Sequence, residues 1–125
     1  MMPLDDFTAR AIRVPFVEQG RSWHGWDCWG AVVMFHHEVL GVELPSYTTG
    51  HSDAWAGHPP KWDSITSPEP GDVVQLCIAG RPVHVGIAIG DGLMLHSDQT
   101  AGTVIERLSS PKWARRVEGY YRYVR

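Results

Sequence analysis

Hydrophobic positions along this chain fall into two regimes, with helical spacing before residue 41 and alternation after residue 71. From Cys28 to Leu40, the residues Cys28, Ala31, Val32, Phe35 and Val39 recur at i, i+3, i+4, i+7 and i+11, the stripe of a single helix face. Trp29, Val33 and Leu40 widen that stripe, so the first two turns are expected to be buried on most sides. Asp27 suits the N-cap and Gly41 the C′ position that ends helices. Upstream, Phe7 to Val14 predicts a short helix stopped by Pro15, which also pushes Val14 towards an extended conformation. The stretch "EQGRSWHG" reads as turns leading into Asp27.

Beyond Gly71 the segments "DVVQLC", "PVHVGIAI", "LMLHS", "TVIERL" and "EGYYRYV" are short, rich in β-branched and aromatic residues, and separated by glycine-containing turns. Helices first and strands second predict an α+β fold, with the Cys28 helix packed on a central antiparallel sheet. The stretch between Pro45 and Pro70 is crowded with Pro, Gly, Ser and Thr and reads as one long irregular loop. Loops of that length often form the walls or lids of sites.

Composition narrows the function classes. A length of 125 residues is enough for one domain, 1–125, with a real core, and too short for two. A net charge of −3 argues against nucleic acid or an anionic membrane as partner. No apolar run approaches a membrane span, so no membrane insertion is expected. The opening "MMPLDDFTAR" has early acids and no apolar core, so no signal peptide is expected and synthesis in the cytoplasm is. Two cysteines exclude a disulfide-dense scaffold.

Candidate chemistry centres on Cys28. The unpaired N–H groups of a first helical turn surround it, which favours a thiolate and could also serve a developing oxyanion. The adjacent Asp27 opposes thiolate formation by its charge, so a histidine base is needed. In "PVHVGIAI", Val83, Val85, Ile87 and Ile89 point one way and His84, Gly86 and Ala88 the other. The second set is small apart from His84, and is expected to leave room for the helix and a substrate.

The hairpin "IAIGDGLML" decides the place of a second histidine. A two-residue turn would put His96 on the face away from His84. A three-residue turn, Gly90-Asp91-Gly92 with Gly92 left-handed, pairs Ile89 with Leu93 and Gly86 with His96. The two histidines then share a face as diagonal neighbours, roughly 7–8 Å apart at the backbone. The three-residue turn is the expectation, and with it a Cys28–His84–His96 arrangement of nucleophile, base and orienting group.

Each member also has a plain structural alternative. A cysteine in an apolar helix serves equally as a small hydrophobe, and strand histidines can be satisfied core residues. Cys77 is expected in the core. His36-His37-Glu38 lacks the i, i+4 spacing of a helical zinc motif, and His24, His51 and His58 lie in loops without ligand spacing, so no metal is expected. Trp55 and Trp62 could border a cleft or pin the loop to the body.

Three stretches together, "PFVEQGRSWHGWDCWGAV", "PGDVVQL" and "PVHVGIAIGDGLMLHS", resemble the NlpC/P60 family of papain-like cysteine peptidases. The likeness runs from Ala9 to Val124 and is strongest to the phage-tail branch, where "GVELPSY" is also familiar. It implies cleavage of peptidoglycan stem peptides, typically between γ-D-glutamate and a diamino acid, without metal or organic cofactor. Cys28 in "DCWG" would be the nucleophile, His84 in "HVGI" the base and His96 in "MLHS" the third polar residue. Asp27 falls where the family uses an acid for substrate or structural contacts.

Two positions depart from the family pattern. Trp29 stands where many cell-wall members carry a serine whose hydroxyl could meet a free stem-peptide amine. Phe16 stands near a common tyrosine, so oxyanion stabilisation would rest on backbone N–H groups. Asp27, Trp29 and Phe16 are accordingly the expected substrate-binding residues. The resemblance further implies action at the cell wall as part of a phage tail or phage-like particle, delivered by a tail-tip partner, since little of the chain is left for a wall-binding module. A secreted amidase effector with the same site, or a non-catalytic tail component, are the alternatives.

Overall fold

The computed structural model describes residues 1–44 and 62–124. The sequence features at Pro45, His51, Trp55 and His58 lie outside the described residues. Helix α1 spans Leu4–Ala11 and α2 spans Cys28–Phe35, joined by a small hairpin of β1 (Arg21–Ser22) and β2 (Gly25–Trp26). Strands β3 (Trp62–Ile65), β4 (Val73–Ile78), β5 (Arg81–Gly90), β6 (Leu93–Asp98), β7 (Gly102–Arg107) and β8 (Val117–Tyr123) form one antiparallel sheet in the order β3-β8-β4-β5-β6-β7. The α+β expectation holds.

Helix α1 begins and ends earlier than the hydrophobic spacing predicts. Asp5 and Asp6 occupy its first turn and Arg10 its last, which suits the helix dipole at both ends. Val14 leaves the helix because the residue before a proline is disfavoured in the α region. It instead turns back, its N–H donating to the Ala11 carbonyl.

In α2 the cap and the burial match expectation. The Asp27 side chain accepts from the Gly30 N–H, and Trp29, Gly30, Ala31, Val32, Met34 and Phe35 are buried. From His36 to Leu40 the helix widens into a π-helical turn, closed by Gly41 at φ 67° with Val42 N–H on the His36 carbonyl. The widening starts where the buried His36 ring donates from Nδ1 to the Val32 carbonyl.

The long-loop expectation for 45–70 fails at its end. Trp62–Ile65 pairs as an edge strand with β8, and Trp62 is buried against Tyr123. Only Trp62 and Ile65 of its four residues carry strand propensity, so local composition hides a pairing that β8 imposes. Nearby, Arg122 clamps the buried Asp72 carboxylate through Nε and a terminal nitrogen at 2.8 and 2.7 Å, tying β8 to the start of β4.

Both faces of the sheet are covered. Trp26, Trp29, Val32 and Phe35 meet Val73, Val85, Ile87 and Leu95 on one face. On the other, Val74, Leu76, Ala88 and Met94 are closed over by Trp113. The expected packing side is therefore reversed: α2 lies on the Val85–Ile87 face, and not on that of His84, Gly86 and Ala88. The small residues of the latter face make room for β6 side chains, since a Cβ on Gly86 would come within 3.1 Å of the Met94 sulfur and 3.3 Å of His96 Cβ.

The β5–β6 hairpin reaches the expected register by another route. Gly90 pairs with Leu93, leaving a two-residue turn of Asp91 and Gly92 at φ 56° and 72°. Asp-Gly is the sequence that such a turn favours. A bulge between Ala88 and Gly90 then inserts Ile89 as an extra residue, so Ala88 pairs with Met94 and Ile87 with Leu95. Continued one step, that register sets Gly86 opposite His96.

Candidate functional site

Cys28 opens α2 as a half-buried thiol outside any disulfide. Burial pushes it up to about 11, and the Asp27 charge adds to this, against backbone N–H groups of Val85, Trp29 and Cys28 itself that favour the thiolate. The Val85 contact sets the sulfur against the β5 backbone one residue from His84. A thiol held this far above neutrality needs a base to become a nucleophile.

His84 and His96 meet as expected, with His84 Nε2 at 2.9 Å from His96 Nδ1 and the rings edge to face. His84 is half-buried, whereas His96 is only 1% exposed. Trp113 roofs the pair, its ring parallel to His84 within 18° and T-shaped to His96. A pocket of about 230 Å³ opens beside His84, lined by Ile78, Asp98, Gln99 and Trp113.

Two members of this cluster are absent from the sequence expectations. Glu106 accepts from His96 Nε2 at 2.7 Å, and the Trp113 indole N–H donates to the same carboxylate oxygen. Burial works against the Glu106 charge, but hydrogen bonds from His96 and Trp113 hold its carboxyl below the usual range. A signal for Glu106 exists: β7 pairs in register with β6, Val104 against His96 and Glu106 against Met94, so even positions of "TVIERL" share the histidine face. Trp113 lies outside any strand, in the segment between β7 and β8, and its place follows only from the tertiary fold.

The expected substrate contacts divide. Both Asp27 oxygens are committed to the fold, one to the Gly30 N–H and Arg21, the other to the Gln19 N–H. Asp27 thus caps α2 and ties it to the segment of Gln19 and Arg21. Trp29 is 2% exposed and lies against Trp62, so it is a core residue and offers no ring to a substrate. Phe16 is half-buried and bridges by its backbone to Trp26. In the HHE stretch, His36 is buried against Phe35 and Trp62, and His37 pairs with Glu43 at the surface. Cys77 is half-buried at the end of β4. Among the described residues, no group of three His, Cys, Asp or Glu side chains is placed to hold a metal ion, and no helix is long and apolar enough to cross a membrane.

The protein-family comparison matches residues 13–122 to the NlpC/P60 family. The chain belongs to that family. Among its relatives, the murein DD-endopeptidase MepS/murein LD-carboxypeptidase of Escherichia coli K12 is 30% identical over 97 residues, covering 78% of this chain and 49% of the relative. A probable endopeptidase of Mycobacterium tuberculosis is 35% identical over 86 residues, 69% of this chain and 20% of the relative. The chain thus spans about half the length of the first relative and a fifth of the second. The crystal structure of an NlpC/P60 protein from Bacillus cereus superposes with a TM-score of 0.73 at 22% identity, covering 99% of this chain and 41% of that one. That likeness carries the NlpC/P60 fold.

Proposed function

We propose that this domain is a thiol peptidase that hydrolyses peptidoglycan stem peptides. The observation that carries the proposal is the 2.9 Å contact between His84 and His96, with His84 next to Val85, whose backbone N–H meets the Cys28 sulfur. Murein or endopeptidase activities named for relatives of 30–35% identity support the substrate class.

In the proposed reaction His84 takes the thiol proton as Cys28 Sγ attacks the scissile carbonyl. First-turn N–H groups stabilise the oxyanion, since Phe16 has no hydroxyl to offer. The C–N bond breaks as His84 returns the proton to the leaving amine, which leaves a thioester. Water, deprotonated by His84, then attacks that thioester, and the proton goes back to the departing sulfur. The leaving amine must lie beside the base, which suits the pocket bounded by His84 and Trp113.

The finer reading is that the scissile bond joins γ-D-glutamate to a diamino acid, and that the domain works at the cell wall within a phage tail or phage-like particle, brought there by a tail-tip partner. The resemblance of its motifs to that branch supports this. Incubation with defined muropeptides, read by mass spectrometry beside Cys28→Ala, tests it. Cleavage between D-glutamate and the diamino acid by wild type alone is expected. Absence of cleavage across pH with reductant present overturns the peptidase reading in favour of a structural part.

A further inference from the structure

We infer that Glu106 sets the protonation pattern of the histidine pair, acting as a positioning residue on His84 through His96. An ionised carboxylate can only accept hydrogen bonds, so the 2.7 Å contact requires the His96 proton to sit on Nε2. Neutral His96 then presents a bare Nδ1. The 2.9 Å contact to His84 is a hydrogen bond only if His84 Nε2 carries its proton. Neutral His84, protonated there, has its lone pair on Nδ1. One carboxylate on β7 thereby decides which nitrogen of a ring on β5 is basic.

The opposite arrangement fits the same histidine distance. With no acceptor at Nε2, His96 could carry its proton on Nδ1 and donate to His84. His84 would then be protonated on Nδ1 and could not use that nitrogen to take the thiol proton. The two patterns differ in nothing but proton position, so packing cannot choose between them and a fixed charge can.

The surroundings keep that charge in place. Trp113 donates to the oxygen that His96 uses, and Lys112 lies 3.8 Å from the other. Among the described residues, Asp98, on the His96 strand, and Arg116, across the Trp113 ring at 5.8 Å, also bring charge to this cluster. Trp113 also covers the site, which strengthens electrostatic coupling within it.

The inference rests on the peptidase reading only for its kinetic consequence. Long-range proton–nitrogen correlation spectra of histidine-labelled protein test it directly. The expected wild-type spectrum has His84 and His96 both protonated on Nε2 when neutral. In Glu106→Gln, whose amide can donate or accept, a mixture of tautomers is expected, with kcat lowered roughly 10- to 100-fold and KM little changed. A wild-type His96 proton on Nδ1 overturns the inference, and this holds even if the variant fails to fold. So does a folded Glu106→Gln with wild-type tautomers. If the spectra come out as expected but wild type cleaves no muropeptide, the peptidase reading fails and the role of Glu106 stands.

Discussion

Gly86 lies under His96 with no side chain of its own, and a methyl there would press on both His96 and Met94. A Cβ there would sit 3.3 Å from His96 Cβ, 3.1 Å from the Met94 sulfur and 3.3 Å from the Leu95 carbonyl. Gly86→Ala is expected to cost about 1–2 kcal/mol of stability through overpacking. Because relief of the contact displaces His96 along with Met94, activity should fall further than the loss of folded protein explains. Comparing urea midpoints with kcat per folded molecule checks this, and unchanged kcat would show that His96 does not move.

Cys28 makes stability depend on pH at the alkaline end. Its folded thiol is pushed up to about 11 from 9.0, so the protonated form is favoured by folding. That contribution is fully present below pH 9 and is lost as pH rises through 11, on the order of 2 kcal/mol. Melting temperatures of wild type and Cys28→Ala, measured from pH 8 to 11, should converge as pH rises. Alkylation of Cys28 in His84→Ala should likewise accelerate only at alkaline pH.

Asp27 should affect folding more than substrate affinity. Asp27→Ala removes the cap of α2 and the partner of Arg21, for an expected loss of about 1–2 kcal/mol. KM for muropeptides should stay at the wild-type level in the folded protein. A raised KM at unchanged stability would return Asp27 to substrate binding.

Trp113 combines packing and polarity. Trp113→Ala should cost about 3–5 kcal/mol from a ring that is 2% exposed. Trp113→Phe keeps a ring face over His84 but loses the N–H on Glu106, so it should fold better than the alanine variant and still show lowered kcat. Calorimetry beside steady-state kinetics separates the two effects.

Residues whose role depends on local order were legible in the sequence. The Asp27 cap, the burial of α2, the Gly41 terminus and the five strands after Gly71 all follow from spacing and propensity. His84 and His96 were legible because parity along a hairpin is local too. The face that receives α2 was not, since Gly86 and Ala88 look equally fit to meet a helix or a neighbouring strand's side chains. β3 was hidden because its partner β8 lies far along the chain, and Glu106 because a charged residue on a strand near the sheet edge reads as solvent-facing. Motif position alone does not show that Trp29 is buried in the core against Trp62 or that Asp27, besides capping α2, holds Arg21 and Gln19, since both follow from neighbours brought in by the fold.

The bulge at Ile89 turns a count of residues into a condition for chemistry. Regular pairing at unchanged length, with Ile89 drawn into the ladder opposite Met94, would carry the Gly90–Leu93 register down the hairpin, set Ile87 opposite His96 and bring His96 out on the face of α2. The same would follow from adding one residue to β6 above His96. Loss of Ile89 alone would leave Ala88 opposite Met94 in a plain two-residue hairpin, so the relay tolerates that deletion but not an insertion in β6.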